Sequence, residues 1–167
     1  GIKSEFIGGQ RKTTREAMRY IEMSLKGEVN SNIVNELNKI GASAVGLSGK
    51  DGRLAIAERR YHIEEDGSET DLGQVGNIKS INTDLIDILL NNGYIPVVAT
   101  IAAGEDGENY NINADIFAGY LAGALNADKF IMLTDVDGLM EDPEVAESLI
   151  KELKTSEIEN LKGKVIK

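Results

Sequence analysis

The chain's 167 residues carry 18 Lys+Arg against 28 Asp+Glu, a net charge of −10, so no basic face is available to neutralise a phosphate backbone and nucleic acid is not expected as a partner. At 41% hydrophobic content the length suffices for one sizeable core, and the absence of cysteine removes disulfides and thiolate metal sites, which suits a reducing compartment. No run approaches the ~18 apolar residues of a membrane span and the N-terminus has no signal-peptide pattern, so a cytoplasmic protein without a membrane partner is expected.

Apolar residues at helical spacing predict a helix that is capped by Thr13 or Thr14, runs through Met18, Ile21 and Leu25, and stops at Gly27. A second helix, from about Asn30 to Ile40, closes at Gly41. Residues 44–48 read as a short apolar strand ending in Gly49-Lys50-Asp51-Gly52, followed by a twisted hairpin from Leu54 that returns near 71–75. A helix over 84–90 stops at Asn92-Gly93, and 95–101 read as a buried strand with Pro96 near its start. After Tyr110–Asp115 comes an apolar helix to Leu125. Residues 129–134 read as a third buried strand, with a polar break over 135–138 and helical stretches over 145–153 and 156–161. Apolar strands alternating with helices imply an α/β fold, a three-layer αβα sandwich around a mainly parallel sheet with a β-hairpin excursion around 53–76. The acidic runs 64–71 and 105–108 read as solvated tips, and there is no internal repeat.

The chemistry concentrates in Tyr110-Asn111-Ile112-Asn113-Ala114-Asp115. In extended backbone Asn111, Asn113 and Asp115 point the same way, and the segment then enters a helix whose free N–H groups favour anions. Asn113 taken alone reads as an N-cap, and it is the three residues in step that ask for more than a cap. Arg11, just before a helix, reads either as a bidentate carboxylate ligand or as a surface residue. In an open α/β sheet the ligand crevice lies beyond the strands' C-terminal ends. There the loop 47–52 offers glycines and Lys50 for a phosphate, or a plain turn; it lacks the Walker A spacing. The loop Thr134–Leu139 lacks the glycine position and the twelfth-position Glu of a calcium loop, and reads better as a nucleotide contact. His62 receives no catalytic role, and Lys12, Lys26 and Lys39 read as solvated helix faces.

Five segments in order carry a family resemblance: 9–13, 44–52, Asp71-Leu72-Gly73-Gln74-Val75-Gly76, 110–115 and 133–139. Across essentially its whole length the chain resembles the N-acetylglutamate kinases of the amino-acid kinase superfamily. The Gly-Leu-Ser-Gly-Lys-Asp-Gly and Asn-Ile-Asn-Ala-Asp strings favour them over carbamate, aspartate and uridylate kinases. The resemblance implies phosphoryl transfer from ATP, with Mg2+ bound to the nucleotide, to the side-chain carboxylate of N-acetyl-L-glutamate on the route to arginine. It assigns Arg11, Asn111 and Asn113 to the amino-acid substrate and Asp115 to organising catalytic lysines. Thr134, Asp135, Val136, Asp137, Gly138, Leu139 and Met140 fall to the nucleotide, joined by Val165, Ile166 and Lys167, and no metal is held by the protein alone. Residues 1–104 would belong to the amino-acid lobe and 105–167 to the nucleotide lobe, as parts of one compact unit in a homo-oligomer.

The family's Lys-x-Gly-Gly strand end, its second glycine-rich turn and its second catalytic Lys have no counterpart here. The expectation is therefore an inactive central piece of a kinase, with an uncovered sheet edge that promotes self-association. Two alternatives stay open: a non-catalytic amino-acid-binding or regulatory module of the same fold, and a kinase for a related acyl-amino acid such as an aminoadipate derivative.

Overall fold

The computed structural model describes residues 6–7, 10–134, 138–142 and 145–161. They fall into two compact units, divided between Phe130 and Ile131.

The first unit opens with a small antiparallel hairpin of β1 (Phe6–Ile7) and β2 (Gln10–Arg11), which sets Arg11 opposite Phe6. Helix α1 (Arg15–Glu22) starts where the Thr14 hydroxyl accepts the Ala17 N–H at 3.1 Å, as the capping rule requires. The helix does not stop at Gly27. A π-helical stretch, Met23–Val29, carries the chain directly into α2 (Asn30–Lys39). Glycine terminates a helix by adopting positive φ; Gly41 does so, at 89°, and Gly27 does not. Without that geometry an interior glycine only weakens the helix, by about 1 kcal/mol.

Strand β3 (Ala44–Ser48) pairs in parallel with β6 (Ile95–Ala99), in register from Ala44↔Ile95 to Ser48↔Ala99. Side chains alternate across the strand, so Gly46 faces Val34 of α2 while Val45 and Leu47 pack with Ile86 and Leu89 of helix α3 (Asp84–Asn91). Helices thus cover both faces of the parallel pair, the expected αβα layering.

The excursion is larger than a hairpin. Strands β4 (Ala55–Ile63) and β5 (Glu69–Ile81) run antiparallel, as do β7 (Ile101–Gly104) and β8 (Asn109–Asn111). Parallel contacts of β4 with β7 and of β5 with β8 close these strands into a four-stranded barrel. Its interior is filled by Ala55, Ala57, Ile78, Ala102, Tyr110 and Ile112, with Phe117 of helix α4 (Ala114–Ala124) sealing one end. Closure leaves no unpaired edge there.

The second unit departs from the expected elements. Residues 129–134 form no strand, and Ile131 and Leu133 are 75% and 97% exposed. An apolar run becomes a buried strand only when a neighbouring edge accepts its backbone hydrogen bonds, and no described strand pairs with this one. Further on, a bridge between Met140 and Leu149 replaces the first half of the expected tail helix, leaving 3-10 turns at Ala146–Ser148 and Thr155–Leu161. Among the described residues no helix is long and apolar enough to cross a membrane.

Candidate functional site

Strand β5 organises the site. Thr13, fully buried, lies alongside Gly73: its N–H donates to the Leu72 carbonyl at 2.9 Å and its carbonyl accepts the Gln74 N–H at 2.6 Å. Two residues along the same strand, Val75 pairs with Asn111 of β8. The segment that leads from Arg11 into α1 and the segment that leads from Asn111 into α4 are therefore anchored two positions apart on one strand. The backbone of Arg11 is two residues from the Thr13 anchor; its side chain lies outside the described residues.

Asn111 also pairs with Ile101 of β7, so main-chain ladders hold it on two sides. The chain turns at Asn113, whose side-chain oxygen accepts the Ile116 N–H at 3.0 Å and caps α4. Its oxygen thus serves as the cap, and its amide nitrogen is the group left for a ligand. Beyond the cap the side-chain period changes from two to 3.6, so the extended-strand alternation ends at Asn113. It stands exposed in the first helical turn, where the helix dipole favours its negative charge. There it lines an open groove of about 700 Å3 with Ile81, Ile116, Gly119, Tyr120 and Gly123.

The loop after β3 is held as a turn by its own side chains. Asp51 accepts the Ser48 N–H at 2.7 Å and the Ser48 hydroxyl at 2.9 Å, and Lys50 pairs with Glu22 at 2.5 Å. Lys26 is not a solvated surface lysine: it donates to the Gly46 carbonyl at 2.8 Å and stands 3.4 Å from Asp51. Burial pushes the Asp51 carboxyl up, but the Ser48 hydrogen bonds and the Lys26 charge outweigh it, so its pKa lies below the usual value.

Several polar residues without a sequence assignment support this frame. Gln74 is buried, and its amide donates to Glu108 at 2.6 Å; the other Glu108 oxygen pairs with Arg15. Tyr110 has no exposed surface, and its hydroxyl donates to Asp106 at 2.5 Å. Burial pushes the Tyr110 pKa up, whereas the Tyr110 hydrogen bond holds the Asp106 carboxyl low. Arg59 donates to Asp71 at 3.0 Å. The sequence signal for these residues was the glycine pair in Asp71–Gly76: Gly73 meets the Thr13 backbone and Gly76 meets the Tyr110 ring.

Of the expected nucleotide residues, Thr134, Gly138, Leu139 and Met140 belong to the second unit. Thr134 and Gly138 are exposed, and Leu139 and Met140 are half-buried. The Leu139 carbonyl accepts the Ile150 N–H at 2.8 Å beside the Met140–Leu149 bridge. Asp135, Val136, Asp137, Val165, Ile166 and Lys167 lie outside the described residues. Among the described residues no three His, Asp or Glu side chains are grouped as metal ligands.

Comparison with known proteins bears out the resemblance read from the motifs. The acetylglutamate kinase of Methanopyrus kandleri is 47% identical over 99% of this chain and 67% of its own length. That of Methanocaldococcus jannaschii is 48% identical over 96% of this chain and 55% of its own. The chain therefore spans between about half and two thirds of the curated relatives it matches. A Streptococcus mutans protein of known crystal structure superposes with a TM-score of 0.72 at 31% identity, covering 84% of this chain and 55% of that one. The N-acetylglutamate synthase of Neisseria gonorrhoeae, solved with coenzyme A and N-acetyl-glutamate, shares the fold at 22% identity, with a TM-score of 0.64 over 83% of this chain and 30% of its own. The amino acid kinase family model matches residues 1–167. The chain thus belongs to the amino acid kinase family.

Proposed function

We propose that the gene product carrying this chain transfers the terminal phosphoryl group of MgATP to the side-chain carboxylate of N-acetyl-L-glutamate, a step toward arginine. The observation that carries the reading is the anchoring of Thr13 and Asn111 two positions apart on β5. A carboxylate ligand taken up by Arg11 and oriented by the neutral amide of Asn111 meets no opposing negative charge from either. Asn113 contributes its amide nitrogen, and Asp115, at the mouth of the α4 groove, organises the cations that offset charge on the transferring group. The identity of nearly half of all residues with proteins named acetylglutamate kinase supports the same substrate.

In this reading MgATP is a substrate, and the metal ion arrives with its phosphates. Thr134, Asp135, Val136, Asp137, Gly138, Leu139 and Met140, with Val165, Ile166 and Lys167, serve the nucleotide. Among those described, the Gly138 main chain at φ 145° and the half-buried Leu139 and Met140 are the kinds of group that receive a phosphate and a purine face. Residues 1–104 belong to the amino-acid lobe and 105–167 to the nucleotide lobe of a cytoplasmic homo-oligomer. The exposed apolar residues Tyr20, Met23, Val29 and Ile33 along the first two helices support assembly, and a monomer in sedimentation at high concentration would count against it.

The activity is tested by trapping the acyl phosphate with hydroxylamine. The intact gene product, given N-acetyl-L-glutamate and MgATP, is expected to yield the hydroxamate. No hydroxamate, or preferential use of an aminoadipate derivative, would refute the substrate assignment. Calorimetric binding of N-acetylglutamate without turnover would point to an amino-acid-binding module instead.

A further inference from the structure

We propose that Arg59, on β4, is a positioning residue that joins the two arms of the amino-acid pocket. The inference rests on the functional reading above.

The need for such a link lies in the β4–β5 ladder. Arg59 pairs with Gly76 and Tyr61 with Asp71, with an irregularity between them, so residues 72–75 of β5 have no register partner on β4. These are the residues that anchor Thr13 and Asn111. Where ladder hydrogen bonds lapse, a bulge re-aims side chains, and here the Arg59 side chain spans the gap.

One arm runs through Asp71. Arg59 donates to one Asp71 oxygen at 3.0 Å, and the other oxygen accepts the Gly73 N–H at 2.7 Å. That contact fixes a left-handed turn, with Gly73 at φ 74°, against which the Thr13 backbone is laid. Thr13 in turn is two residues from Arg11.

The other arm runs through Tyr110, the residue before Asn111. Its ring sits against Gly76, the register partner of Arg59; a Cβ at Gly76 would lie 2.8 Å from the Tyr110 Cβ. The Tyr110 hydroxyl donates to Asp106 at 2.5 Å, so the ring that packs on Gly76 is held at both ends. The nearness of that hydroxyl, with the Asp71 charge behind it, raises the Arg59 pKa.

A guanidinium suits the position because its planar fork offers five N–H donors and can hold Asp71 while presenting further donors toward the Tyr110 hydroxyl; an ammonium is a point charge on a flexible stem. Charge alone therefore does not reproduce the link.

The test uses the intact gene product with Arg59→Met, Arg59→Lys and Tyr110→Phe. Wild-type turnover of N-acetylglutamate is measured first, and its failure refutes the functional reading rather than this one. Given turnover, Arg59→Met is expected to raise the KM for N-acetylglutamate about 10-fold or more, the scale of losing a charge-assisted hydrogen bond, with the KM for MgATP within about twofold. Arg59→Lys should restore thermal stability without restoring that KM. Tyr110→Phe, which keeps the ring packing, should raise the same KM by a smaller factor.

A substrate-independent readout is amide hydrogen exchange, in which Arg59→Met should speed exchange at both 72–75 and Asn111. An unchanged KM, equal rises for both substrates, full recovery by Arg59→Lys, or faster exchange at only one arm would each overturn the proposal.

Discussion

The carbonyl oxygen of Thr13 occupies the space that a side chain at residue 73 would need: a Cβ on Gly73 would lie 2.3 Å from it. Both groups are backbone, so neither can swing aside, and Gly73 also sits at φ 74°. Gly73→Ala is therefore expected to cost roughly 1–3 kcal/mol or more, from left-handed strain plus displacement of the Thr13 segment. Urea unfolding of the variant measures this, and an unchanged midpoint would show that the contact is not made in solution.

Asn113 separates two roles cleanly. Asn113→Ala removes the cap of α4 and should lower stability by about 0.5–2 kcal/mol, whereas Asn113→Ser keeps a capping oxygen and should recover most of it. Asn113→Ser nevertheless loses the amide nitrogen. If that nitrogen contacts N-acetylglutamate, the serine variant will show near-normal stability with a raised KM for the amino acid. Normal values of both would leave Asn113 as a cap alone.

Asp115 is exposed, so Asp115→Asn should change stability by no more than about 0.5 kcal/mol. Its turnover is expected to fall roughly 10²–10³-fold, the usual consequence of disturbing a preorganised charged site. A variant that is stable and fully active would remove Asp115 from the mechanism.

Asp51 predicts an acid-sensitive contribution. Its pKa is lowered in the folded state, so its stabilisation is fully present above the ordinary value of 3.8 and is lost as pH falls through the lower folded-state value. Asp51→Asn should be less stable than wild type at about pH 7, and the difference should shrink as pH falls below 3.8 through the lower folded-state value. A gap that stays constant across that range would mean that the Ser48 and Lys26 contacts do not discriminate the ionised form.

How much of this was legible in the sequence varies with the range of the interactions. Helices α1, α2, α3 and α4 and strands β3 and β6 follow local periodicity and capping, and their residues announce them. The α1 stop did not, because Gly27 resembles a terminating glycine until its φ is known. Closure of the barrel rests on the pairs Ile56↔Ala103 and Val75↔Asn111, which no local pattern encodes. Lys26 looked solvated for a related reason: its partners, Gly46 and Asp51, come from beyond the next helix. The apolar run 129–134 shows the reverse error, since hydrophobicity proposes a strand that only a neighbouring edge can complete. In the candidate site, the alternation of Asn111, Asn113 and Asp115 presumes extended backbone throughout, whereas the helix begins at Ala114, directly after the Asn113 cap. Arg59 lay in no matching segment and Gln74 lay in one without a role of its own; their contacts with Asp71 and Glu108 come from what a long strand places beside them.

The contacts around β5 also bear on how the protein comes off the ribosome. Gln74 reaches Glu108 across 34 residues of chain, and Arg15 reaches the same carboxylate across 93. At ~5–20 residues per second, Arg15 waits roughly 5–20 s after its own synthesis before Glu108 exists. Closing so long a loop costs entropy before any contact rewards it, so the local β4–β5 hairpin should form first and the N-terminal arm should dock late. Until then Met18, destined for full burial, remains open to chaperones and to other nascent chains.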